Sequence, residues 1–128
     1  MKILLTGATG YIGQRLLPFL LQEGHEVVCC VRDKRRFNID HYTQQKVSVV
    51  EVSFLNKSTL EDIPEDIDAA YYLVHSMAGG RAGFERRDRE AAENFVRAAE
   101  TAGVRRVIYL GGLGETGDKL SEHLKSRL

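Results

Sequence analysis

Short, continuous apolar runs alternate along this chain with segments whose apolar residues recur at helical spacing. Lys2 to Thr6 holds Ile3-Leu4-Leu5, a run without polar alternation that reads as a strand covered on both faces. It leads into a glycine-rich turn, Gly7-Ala8-Thr9-Gly10-Tyr11-Ile12-Gly13. From Tyr11 to Gln22 the residues Ile12, Leu16, Leu17, Phe19, Leu20 and Leu21 follow a helical period, and Gly24 is placed to close that helix. Pro18 falls inside it and predicts a bend or an early end, because proline removes a backbone donor. Val27 to Val31 is a second strand, stopped by Arg32-Asp33-Lys34-Arg35-Arg36. Val47 to Val52 is a third, Asn56 to Ile63 a short polar helix, and Asp68 to Val74 a fourth strand. In the longest predicted helix, Phe84 to Ala102, the residues Phe84, Ala91, Ala92, Phe95, Val96, Ala98, Ala99 and Ala102 make one stripe, ended by Gly103. Val107 to Leu110 is a fifth strand, followed by Gly111-Gly112-Leu113-Gly114 and, from Ser121, a final polar helix.

Strands that alternate with helices and are apolar throughout belong in a parallel sheet covered on both sides. The predicted fold class is therefore α/β: a doubly wound parallel sheet of about five strands in a Rossmann-type three-layer α/β/α arrangement. At 128 residues the chain is expected to be a single domain spanning 1–128. Eighteen Lys and Arg against eighteen Asp and Glu give no net charge, so nothing draws the whole molecule to nucleic acid or anionic lipid. Anion recognition has to be local. Five charged residues at 32–36 in a neutral chain lack the broad basic face that nucleic-acid binding requires. No apolar run approaches the roughly 20 residues of a membrane span. The cysteines, Cys29 and Cys30, are adjacent on a strand and point to opposite faces, so they do not bridge, and a reduced cytoplasmic chain is expected. No His, Cys, Asp and Glu spacing suggests a metal site.

The chemistry concentrates in Gly7-x-x-Gly10-x-x-Gly13, set between the first strand and the first helix. Glycines there let a pyrophosphate approach the backbone amides at the helix start, where the helix dipole favours negative charge. Thr9, Tyr11 and Ile12 belong to the same cradle, and the hydroxyls of Thr6 and Thr9 serve either a phosphate or the turn itself. In this kind of domain the tip of the second strand lies beside the adenosine ribose; a carboxylate there selects NAD and an arginine accepts the 2′-phosphate of NADP. The tip is Arg32, followed at once by Asp33 and then by three more cations. NADP is favoured, with NAD as the alternative.

Taken together, Gly7 to Gly13, Arg32, Tyr71-Tyr72-Leu73-Val74-His75-Ser76-Met77 and Ala102-Gly103-Val104-Arg105-Arg106-Val107-Ile108-Tyr109-Leu110 resemble the atypical short-chain dehydrogenases/reductases, on the branch of the nucleoside-diphosphate-sugar epimerases and NmrA-like proteins. The resemblance covers essentially the whole chain. It implies that Val74, His75 and Ser76 lie near the nicotinamide-side ribose. It also implies that the end of the third strand touches adenine, where Ser53 stands in place of the family's usual aspartate. Family enzymes bind the substrate oxygen with a Ser or Thr after the fifth strand and then use Tyr-x-x-x-Lys; here Gly111-Gly112 occupies the first place and His123-x-x-x-Arg127 the second. His123 can exchange a proton near neutral pH and Arg127 can hold a ribose hydroxyl, or both are surface residues of a terminal helix. Two readings follow. One is the cofactor domain of a reductase or epimerase acting on an unidentified small molecule, truncated before its C-terminal substrate region, with an open sheet edge that invites self-association. The other is a non-catalytic NAD(P)-sensing or scaffold domain.

Overall fold

A computed structural model describes residues 1–42, 44–73 and 81–110, the side chains of 81–85 excepted. Among these residues five strands form one sheet: β1 (Lys2–Thr6), β2 (Glu26–Val31), β3 (Val47–Glu51), β4 (Ala69–Tyr72) and β5 (Arg106–Tyr109). Among the described residues two α-helices flank it, α1 (Tyr11–Gln22) and α2 (Arg81–Thr101). The strand order is β3-β2-β1-β4-β5 and every pairing is parallel. This is the doubly wound α/β sheet that the alternating pattern predicts, and its three layers come from the same alternation. Along β1 and β2 successive side chains enter different cores. Ile3, Leu5, Val27 and Cys29 pack with Leu17 and Leu20 of α1. Leu4, Val28 and Cys30 pack with Ala92, Phe95, Val96 and Ala99 of α2.

The α2 face is held by aromatic contacts. The Tyr72 and Phe95 rings lie 4.5 Å apart and Phe54 meets Phe95 edge-on at 5.6 Å, geometries that add to the burial of the rings. Asn94, itself buried, donates from its side-chain amide to the Phe54 carbonyl at 2.5 Å and fixes the segment after β3 against the helix.

Some sequence expectations shift. Pro18 does not end α1, which continues to Gln22. Its ring faces solvent, so the carbonyl that loses its intrahelical donor lies on the wet side of the helix, where water can serve it. The short polar helix expected over Asn56 to Ile63 is present as a 3₁₀ segment, Lys57–Asp62, capped by the Asn56 side chain on the Ser58 amide. Without a buried residue in it, no apolar stripe draws it into a longer helix. Strand β4 is shorter than the 68–74 run suggests, and α2 begins three residues before Phe84.

The opposite orientation of the two cysteines has a chemical consequence. Burial pushes the Cys29 thiol up to about 12 and Cys30 higher, so both stay protonated at neutral pH. Unfolded, the thiols ionise near pH 8.5; above that pH the unfolded chain binds fewer protons, and this contribution to stability falls as pH rises. At pH 8 the folded protein is expected to be inert to a thiol reagent, with both cysteines labelled once urea unfolds it; equal labelling rates in the two states would contradict the buried placement.

Candidate functional site

In an open parallel sheet the crevice lies outside the carboxyl ends of the strands, where neighbouring connections leave in opposite directions. Here that point is the end of β1, which has β2 on one side and β4 on the other. Thr6 closes the strand end itself. Its buried hydroxyl donates to the Tyr71 carbonyl at 2.7 Å and accepts from the Leu73 amide at 3.0 Å, tying β1 to β4 where their backbone pairing runs out. Of the two roles open to this hydroxyl, the turn takes it.

The loop that follows is built around its glycines. Gly7 sits at φ 65°, and a Cβ on it would meet the Leu73 carbonyl at 3.0 Å. Its own carbonyl accepts from the Gly10 amide at 3.0 Å, closing the turn. Gly13, buried in the first turn of α1, lies so close under this loop that a Cβ would come within 2.2 Å of the Gly7 carbonyl oxygen and 2.9 Å of the Ala8 Cα. Packing therefore requires glycine at both places. Gly10 differs: it is exposed, has ordinary extended angles, and among the described residues beyond its chain neighbours a Cβ there would meet only the Gly7 oxygen, at 3.3 Å. A side chain at Gly10 would chiefly occupy the open space in front of the helix.

That space faces amides. Gly10 caps α1 without any side-chain hydrogen bond, and the first-turn amides of Tyr11, Ile12 and Gly13 have no acceptor within the helix. They open a helix of twelve residues, so donors without an intrahelical acceptor and the positive end of a dipole coincide. The side chains of Tyr11 and Ile12 point to solvent, so what they offer a ligand at this point is backbone. Arg15 stands over the Tyr11 ring at 3.5 Å and donates to the Tyr11 carbonyl at 3.1 Å, adding a cation beside the helix start. Thr9 keeps its hydroxyl free of hydrogen bonds among the described residues, while its carbonyl accepts from Gln14 at 2.7 Å.

At the tips of β2 and β3 the structure sorts the charges. Arg32 is exposed and makes no hydrogen bond or ion pair among the described residues. Asp33 is bound on both oxygens by Arg35: Oδ1 accepts from the Arg35 amide at 3.0 Å and from Nε at 3.1 Å, and Oδ2 from a terminal guanidinium nitrogen at 3.0 Å. The guanidinium holds the carboxyl below the usual carboxylate range. Glu51, opposite Val31 in the β2–β3 register, accepts from the Lys34 amide at 3.1 Å. Ser53 is held through its backbone by the Thr59 hydroxyl, which accepts from its amide at 3.0 Å and donates to its carbonyl at 2.9 Å.

The structure thus gathers Gly7, Thr9, Gly10, Tyr11, Ile12 and Gly13 into one loop and helix start, and sets Arg32 and Ser53 beyond the carboxyl ends of neighbouring strands of the same sheet. Val74, His75, Ser76, His123 and Arg127 lie outside the described residues. Sequence reading missed the two carboxylate locks and Arg15. Asp33 and Arg35 are two apart, a spacing that is silent in helix and strand logic and acquires meaning only in the Lys34–Arg36 turn. No group of three or more potential metal ligands occurs among the described residues, and no helix among them is long and apolar enough to cross a membrane.

A glycine loop cradling bare amides at the switch point of a β3-β2-β1-β4-β5 sheet defines a Rossmann-type dinucleotide-binding domain. Comparison with known proteins agrees with this and with the family resemblance. The chain belongs to the NAD(P)H-binding family, whose profile matches residues 7–127. It is 30% identical over 131 residues to a UDP-glucose 4-epimerase of Klebsiella pneumoniae, covering 93% of this chain and 94% of that protein. It is 27% identical over 109 residues to the photosystem II assembly factor Ycf39 of Synechocystis, covering 85% of this chain but only 33% of that protein. Among solved structures, a nucleoside-diphosphate-sugar epimerase of Staphylococcus aureus superposes with a TM-score of 0.77 at 22% identity, over 99% of this chain and 47% of its own. The domain binds NAD(P), and the chain spans about a third of the cyanobacterial relative and about half of the superposed epimerase.

Proposed function

We propose that this is the NADPH-preferring cofactor domain of a reductase or epimerase-like oxidoreductase that acts on a small-molecule substrate. The observation that carries the reading is the charge at the tip of β2: Arg32 faces solvent without a partner among the described residues, while Asp33 and Glu51 are both engaged by the following turn. A free guanidinium suits a 2′-phosphate, which it can grip through two parallel hydrogen bonds. In this reading the first-turn amides of Tyr11, Ile12 and Gly13 receive the pyrophosphate and Gly10 leaves room for it. Arg32 takes the 2′-phosphate, and Ser53 borders the adenine. The bound nicotinamide supplies the hydride chemistry. The domain contributes orientation: a helix dipole and fixed donors hold the dinucleotide so that one ring face is presented to a substrate.

Titration of the purified chain with NADPH and with NADH, followed by cofactor fluorescence, tests this. NADPH is expected to bind at least about tenfold more tightly. Arg32→Ala should remove that advantage by weakening NADPH alone, leaving NADH binding as in the parent. Equal affinities in the parent, or an Arg32→Ala variant that weakens both cofactors alike, would rule out a 2′-phosphate contact at Arg32.

A further inference from the structure

We infer that Arg35 sets the cofactor preference without touching the cofactor: by occupying the Asp33 carboxylate it leaves the tip of β2 with a cation and no free anion to present to the adenosine ribose. The inference rests on the NADPH reading above and names the residue that makes it work. The sequence Arg32-Asp33 is contradictory as a specificity signal, since the arginine suits a phosphate while the aspartate suits free ribose hydroxyls and repels a phosphate. The structure resolves the contradiction in the Lys34–Arg36 turn. Asp33 caps that turn through the Arg35 amide, and the Arg35 side chain folds back so that its Nε and a terminal nitrogen engage both carboxylate oxygens. A two-pronged grip of this kind fixes the carboxylate's direction as well as its charge. The neighbouring acid, Glu51, is drawn to the same turn by the Lys34 amide. Both carboxylates at this edge of the sheet are thereby turned into the loop, and Arg32 remains to meet a ligand.

The Arg35 side chain is 90% exposed. An ion pair so open to water adds little to folding. Its consequence is electrostatic and local: removing the guanidinium leaves Asp33 capping the turn through Oδ1 and frees Oδ2. The liberated carboxylate then opposes a 2′-phosphate and accepts hydrogen bonds from the ribose hydroxyls of NADH. Arg35 is in this sense a positioning residue, acting through Asp33.

The experiment compares the parent chain, Arg32→Ala, Arg35→Ala and the double variant Asp33→Asn/Arg35→Ala, each titrated with NADPH and NADH by cofactor fluorescence, with melting curves confirming that each is folded. Arg35→Ala is expected to weaken NADPH about tenfold and to tighten NADH. In the double variant the freed group is a neutral amide, so NADPH affinity should return towards the parent value and the gain for NADH should disappear. If both Arg35 variants lose NADPH equally and NADH is unaffected, Arg35 contacts the phosphate directly and the inference is overturned. It is overturned also if Arg35→Ala matches the parent for both cofactors. A parent that binds the two cofactors equally, or binds neither, or an Arg32→Ala variant indistinguishable from it, removes the NADPH reading itself and this inference with it.

Discussion

Gly13→Ala is expected to weaken NAD(P)H binding by roughly a hundredfold, about 2.7 kcal/mol, and to lower folding stability by about 2 kcal/mol. The cause is distance. The added methyl would lie 2.2 Å from the Gly7 carbonyl oxygen and 2.9 Å from the Ala8 Cα, and all of these are backbone atoms that no rotamer change can move. Either the start of α1 rises from the strand or the loop opens, and in both cases the first-turn amides leave the positions that suit a pyrophosphate. Gly10→Ala separates binding from packing. Among the described residues its methyl meets only the Gly7 oxygen, at 3.3 Å, and its backbone angles are ordinary, so the fold should lose less than about 1 kcal/mol. Binding should nevertheless fall sharply, because the methyl stands in the space before the helix. Urea melts and NADPH titrations of the two variants check both statements. A Gly13→Ala protein that binds cofactor like the parent would show that the amides at the start of α1 do not hold it.

Much of this architecture is readable along the chain because parallel strands must be apolar throughout. Ile3-Leu4-Leu5 and Val27 to Val31 allow no other placement than the middle of a covered sheet, and β1 and β2 lie there with α1 and α2 on either side. The glycine loop is readable for a related reason, since three glycines between a strand and a helix answer a backbone demand that few other sequences meet. The sequence does not, however, divide the labour among them: only the packing of Gly13 under Gly7, and the open side of Gly10, do so. Segments held by side-chain caps are the least legible. Lys57–Asp62 follows its Asn56 cap and not an apolar stripe, and Lys34–Arg36 follows the caps of Asp33 and Glu51. The second of these hides the most functionally telling feature. A run of five charges, four of them basic, gives no sign of which cation is paired, and pairing depends on a turn that Glu51, across the β2–β3 register, helps to hold.

The same ambiguity, settled in the opposite sense, surrounds Thr6, whose position beside the glycine loop makes its hydroxyl a natural phosphate donor until its partners are seen. Thr6→Val is expected to cost about 3 kcal/mol of stability. Valine keeps the shape and removes the hydroxyl, so the Leu73 amide loses its acceptor and the Tyr71 carbonyl a donor in a place where the side chain itself is fully buried; groups left unanswered in this way cost roughly 1–3 kcal/mol each. The ends of β1 and β4 would then part just where a side chain on Gly7 would run into the Leu73 carbonyl, so cofactor affinity should fall together with stability. Thr6→Ser, which keeps both hydrogen bonds and loses one methyl, should lose only about 1 kcal/mol and bind nearly as the parent does. The pair of variants distinguishes the two roles of the hydroxyl. A phosphate ligand would show lost binding at unchanged stability in Thr6→Val, whereas a clamp between strands shows both falling in proportion. A valine variant as stable as the parent would mean that the two strand ends are held by something other than this side chain.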